Sequence, residues 1–171
     1  DENHWKPIKS EAIKNCISAC AGLYLEVVAH NQETTAGSLV KLKIEAINRS
    51  STEIQLVSLT TLPDGKNIPQ NKVLLSNVLQ NSAVDLQLPS TIEFTQPYWL
   101  KEKGTDGMYT VSDQKSIGIP DIIREVKVVF NLIINGIEIP FERTVVYKYN
   151  DDVKGEMYNY LDIVPEVTTS I

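Results

Sequence analysis

The chain has 171 residues, with 16 Lys+Arg against 22 Asp+Glu and a formal charge of −6, so no basic surplus exists to neutralise phosphates or anionic lipid headgroups. Hydrophobic content of 42% and charged content of 22% match a folded globular chain, and no run approaches the ~18 apolar residues of a membrane span. Nucleic acid and membrane insertion are set aside as partners, and the length suits one domain with short extensions.

The N-terminus, Asp1-Glu2-Asn3-His4, lacks the basic and apolar regions of a signal peptide. Pro7 then suits an opening helical turn, and Ile13, Cys16, Ile17 and Cys20 recur at helical spacing until Gly22 ends the pattern. Residues 1–21 are therefore expected to form a helix whose apolar stripe packs on the following domain or on a neighbour. Its two cysteines share a face at a spacing too wide for a relaxed disulfide, so two buried thiols are expected. No metal or other cofactor is expected, because only His4 and His30 could add ligands to those thiols.

After Gly22 the period becomes 2. Leu23, Leu25 and Val27 alternate with Tyr24, Glu26 and Val28, and Val40, Leu42, Ile44 and Ala46 alternate with Lys41, Lys43 and Glu45. Ile54 to Leu62 gives a third strand, closed by Pro63-Asp64-Gly65. Short strands are expected at Val73–Leu75 and Val84–Leu88, with another starting at Ile92 and Phe94. A long loop should then run from Tyr98 to Pro120, carrying a short strand around Met108–Val111. Near the end, Asn135-Gly136 between two alternating apolar runs predicts a type I′ hairpin. A two-residue loop pairs Ile134 with Ile137, Leu132 with Ile139 and Phe130 with Phe141, all on one face. Val145, Tyr147 and Tyr149 extend that strand or begin the next, and residues from Tyr158 to Ile171 read as an extended exit arm. About seven short strands predict an all-β fold, an immunoglobulin-like antiparallel β-sandwich over 22–150, with 151–171 as an arm or linker.

Chemistry is harder to find. There is no Gly-x-Ser-x-Gly elbow, His-Glu-x-x-His, Walker loop or Gly-x-Gly-x-x-Gly, so no catalytic residues are assigned and no enzyme activity is expected. His30 and the Asp151-Asp152 pair read as turn residues. Tyr98, Trp99 and Tyr109 are the one candidate ligand site: aromatics on a β-sandwich either stack on sugar rings or pin the long loop by burial.

Four blocks carry a resemblance. Cys20-Ala21-Gly22-Leu23-Tyr24-Leu25-Glu26, Glu45-Ala46-Ile47-Asn48-Arg49-Ser50, Gln96-Pro97-Tyr98-Trp99-Leu100 and Val146-Tyr147-Lys148-Tyr149-Asn150-Asp151-Asp152-Val153-Lys154-Gly155-Glu156 together span most of the chain. They resemble the segment that follows the catalytic domain in large bacterial LmbE/PIG-L-type de-N-acetylase-like proteins. In that family the zinc-binding motif is of the Ala-His-Pro-Asp-Asp-Glu kind and lies in the preceding domain. Here His4 is followed by Trp5-Lys6 and His30 by Asn31-Gln32, so no catalytic or zinc role transfers. The resemblance implies a non-catalytic accessory domain, periplasmic or extracellular, whose partners are adjacent domains of the same polypeptide, with residues 1–21 as a connector helix and 151–171 leading toward a further module. The alternative partner is carbohydrate, bound on Tyr98, Trp99 and Tyr109.

Overall fold

The computed structural model describes residues 2–119 and 122–167. One helix, α1 (Glu2–Cys20), precedes eleven strands: β1 (Tyr24–Ala29), β2 (Glu33–Thr34), β3 (Leu39–Ile47), β4 (Ile54–Leu62), β5 (Asn67–Val73), β6 (Gln80–Gln87), β7 (Lys127–Ile134), β8 (Ile137–Thr144), β9 (Val146–Asp151), β10 (Gly155–Tyr160) and β11 (Asp162–Ile163). They form a five-stranded sheet in the order β10-β9-β1-β3-β6, a four-stranded sheet in the order β5-β4-β7-β8, and the small pair β11-β2. The chain is mostly β, arranged as expected of a β-sandwich.

Alternation builds the core. Leu25, Val27 and Ala29 of β1, Val40, Leu42, Ile44 and Ala46 of β3, and Val84 and Leu86 of β6 are buried in one cluster with Val128, Phe130, Leu132 and Ile134 of β7 and Phe141 of β8. β4 changes phase part-way. Ile54 and Leu56 are buried before a register shift between Leu56 and Ser58, and Leu59 and Thr61 after it. One extra residue lets both halves of a nine-residue strand turn their apolar positions inward.

The Asn135-Gly136 hairpin has the expected register, pairing Ile134 with Ile137, Leu132 with Ile139 and Phe130 with Phe141. Both turn residues have positive φ, 47° and 81°, as a type I′ turn demands. Burial falls off along that face, from Phe130 at 0% exposed to Ile137 at 65%, because Ile137 lies at the rim of the sheet. α1 ends where Gly22 adopts φ 55°. Leu23 N donates to Ser18 O and Gly22 N to Ala19 O, a Schellman closure of the last turn. A Cβ on Gly22 would meet the Arg49 Cβ at 2.9 Å.

Several expectations are corrected. Cys16 and Cys20 are free and exposed, since the side of α1 that is covered by the sandwich carries Ile17 and Ser18, with Ala21 just beyond the helix. Ile92 and Phe94 start no strand, and Met108–Val111 forms none; Met108 makes one isolated bridge with Thr105. The strand expected at Val73–Leu75 ends at Val73 and begins earlier, at Asn67. The stretch from Tyr158 is extended but not a free arm. β10 pairs with β9 from Gly155↔Asp151 to Tyr160↔Val146, and β11 pairs with β2. The last four residues of that expected arm lie outside the described residues.

Among the described strands the chain passes between the two main sheets four times, and the last passage, from β8 to β9, is the shortest. β8 belongs to the four-stranded sheet and β9 to the five-stranded one, and only Val145 separates them. Val145 is 1% exposed; its N–H donates to Val126 O at 3.2 Å, and its carbonyl accepts Leu161 N–H at 3.4 Å.

Candidate functional site

Tyr98, Trp99 and Tyr109 do not converge on one surface. Tyr98 and Trp99 sit on a short 3₁₀ turn, Tyr98–Leu100, both half-buried, with ring centroids 4.9 Å apart and planes at 88°. Tyr98 lines a cavity of about 100 Å³ between the long loop and the sandwich, floored by Val126, Val145, Leu161 and Ile163, and its hydroxyl accepts the Gly118 N–H at 3.4 Å. Trp99 instead shares a groove of about 430 Å³ with Tyr109, which is 68% exposed. Two of the three rings are thus brought together, and Tyr98 helps seat the loop.

The cavity contains a residue that sequence reading missed. Arg124 sits over the Tyr160 ring, its guanidinium carbon 4.9 Å from the centroid, and its Nη1 donates to the Asp162 carboxylate and the Leu161 carbonyl. These bonds tie the end of the long loop to β11.

A second polar cluster, also unforeseen, lies on the outer face of the five-stranded sheet. Lys148 Nζ reaches Glu26 at 3.0 Å and Glu156 at 3.1 Å, and Tyr158 donates its hydroxyl to Glu156. Burial pulls the Lys148 ammonium down, but hydrogen bonds to Glu26, Glu156 and Tyr158 outweigh it and hold the group above the ordinary lysine range. Burial, with the Glu26 carboxylate alongside, pushes the Tyr24 phenol up. Hydrogen bonds from Tyr158 and Lys148 hold Glu156 below the usual carboxylate value. Lys148 also lines a shallow groove with Val28, His30, Lys41 and Tyr147, but the ammonium is held by Glu26 and Glu156, so the chemistry of the cluster is that of a satisfied sheet face. Among the described residues no group of three or more His, Cys, Asp or Glu could hold a metal ion.

The third surface is α1. Trp5, Ile8 and Ile13 are 54%, 48% and 60% exposed, and Cys16 and Cys20 are exposed on the same helix. Ala12, Ile13, Cys16 and Cys20 line an open apolar groove of about 490 Å³ against Ile134 and Asn135. α1 thus meets the sandwich along one side only and leaves Trp5, Ile8 and Ile13 open to solvent.

No family model, no curated protein and no solved structure matches the chain. No helix is long and apolar enough to cross a membrane among the described residues.

Proposed function

We propose that the chain is a non-catalytic accessory domain, an immunoglobulin-like β-sandwich that extends a larger de-N-acetylase-like protein of the LmbE/PIG-L type. It acts through interdomain contacts made by α1 and by the exposed segment Pro165–Val167. The observation that carries this reading is the apolar exposure along α1, continued at the other end of the chain by Val167 at 78%. The strand order supports the immunoglobulin-like part. β1, β3 and β6 lie in one sheet and β5, β4, β7 and β8 in the other, which corresponds to an A-B-E sheet facing a C′-C-F-G sheet. β9 and β10 then extend the first sheet beyond β1. The same reading places the domain in the periplasm or outside the cell.

Hydrogen exchange tests the reading. In the isolated chain the amides of residues 4–13 should exchange as a solvated helix. In the gene product that contains this chain they should slow by at least about tenfold, roughly 1.4 kcal/mol of local stabilisation. Unchanged exchange in the longer protein would overturn the assignment.

A second reading, sugar binding at the long loop, is favoured by the groove that Trp99 and Tyr109 share. Calorimetric titration with soluble oligosaccharides would show saturable heat that Trp99→Ala abolishes. Heat that survives the substitution would count against it.

A further inference from the structure

The two main sheets end in four strand edges, and three carry devices that keep a strand from pairing with another chain. β5 contains Pro69 and Lys72, with Asn71 at φ 48°. β8 contains Pro140 between Glu138 and Glu142. β10 is six residues long and carries Glu156. β6 is longer than β10 and has neither the proline of β5 and β8 nor a left-handed residue, and Asp85 is its one charge. Its sequence, Gln80-Asn81-Ser82-Ala83-Val84-Asp85-Leu86-Gln87, has no Pro, Gly or basic residue and a single charge. It pairs with β3 at every position from Leu39↔Gln87 to Ala46↔Gln80, without a bulge.

One hydrogen bond fixes which way the backbone of β6 faces. Leu88 N donates to Ser38 O at 3.0 Å, continuing the β3-β6 register. In an antiparallel ladder alternate residues bond to the same neighbour. Even-numbered residues of β6 therefore turn their N–H and C=O groups toward β3, and those of Asn81, Ala83, Asp85 and Gln87 point away from the sheet. The same four residues are exposed.

We propose that β6 is a self-pairing edge: two copies of the chain join β6 to β6 in antiparallel fashion about a two-fold axis at Ala83, making one continuous sheet. A second copy is the occupant because the strand complements itself. Residues opposite one another across the axis must share a face, so each register is set by the residue on the axis. An axis at Ala83 puts a small side chain on the axis itself and sets each Asp85 carboxylate opposite Asn81 of the second copy, an amide donor. An axis at Asp85 would set that carboxylate against its own copy. Among the described residues no strand already occupies this edge. β6 lies on a different element from α1, so the inference stands or falls independently of the accessory-domain reading.

Sedimentation velocity on the full chain, from about 10 to about 500 µM, tests it. The wild type should shift from monomer to dimer. Ala83→Pro should stay monomeric while keeping the wild-type circular dichroism, because the N–H it removes does not serve the β3 ladder. Asn81→Asp should weaken the dimer about tenfold by opposing like charges, and the pair Asn81→Asp with Asp85→Asn should restore it. A wild type that remains monomeric throughout, a dimer that Ala83→Pro leaves intact, or a double variant no tighter than Asn81→Asp alone would each overturn the proposal.

Discussion

Asp151 Oδ1 accepts the N–H groups of Val153 at 2.9 Å and Lys154 at 2.8 Å, closing the turn between β9 and β10. Those two backbone bonds hold its carboxyl below the usual aspartate value. A depressed folded-state value means that the contribution is complete above the unfolded value, about 3.9, and is lost as pH falls through the folded one. In an NMR titration the Val153 and Lys154 amide protons should move together with a midpoint below about 3.9, and Asp151→Asn should erase the step. A midpoint at or above that value would contradict the hydrogen-bonding account. In the sequence, Asp151-Asp152 was legible as turn chemistry because aspartate bonds locally to the backbone that follows it. Lys148 was not legible, because its partner Glu26 lies 122 residues away and neither residue signals that β9 will settle beside β1.

At the scale of elements, the hairpin of β7 and β8 rests on a turn whose second residue only glycine adopts without strain. Gly136→Ala should cost about 1–2 kcal/mol, read as a lower urea midpoint at unchanged slope, because φ 81° brings an added Cβ toward the following carbonyl. A loss within error of zero would mean that the turn changes type on substitution. This hairpin and β3 were readable in advance because one wetted face leaves a clean alternation, and β4 was readable as an apolar run despite its change of phase. β5 was not: it is Asn-Ile-Pro-Gln-Asn-Lys-Val, an exposed edge strand with little to bury and therefore little pattern. The first half of β6, Gln80 to Ala83, was hidden for the same reason, and its pairing comes from the neighbouring β3. α1 was legible as a helix, but its buried side was not. The stripe of Ile13, Cys16 and Cys20 has the spacing of a core face, yet the sandwich presents room only for Ile17, Ser18 and Ala21.

Taken whole, the molecule joins a sandwich whose interior follows from the alternation of its strands to surfaces that the same alternation leaves undetermined. Trp99 and Tyr109 met in one groove because the long loop folds back on itself through the bridge between Thr105 and Met108, a contact no local pattern announces. Arg124 closes that loop against β11 for a similar reason: its partners Leu161 and Asp162 arrive from the far end of the chain. The crossing at Val145 has a wider effect. A single buried residue bonds on one side to Val126, which leads into β7, and on the other to Leu161, which follows β10, and with the three other passages between the sheets it ties each layer to the other. Opening should thus be all-or-none, with the slowest-exchanging amides of β3 and β7 reporting the same free energy and losing protection together as denaturant rises.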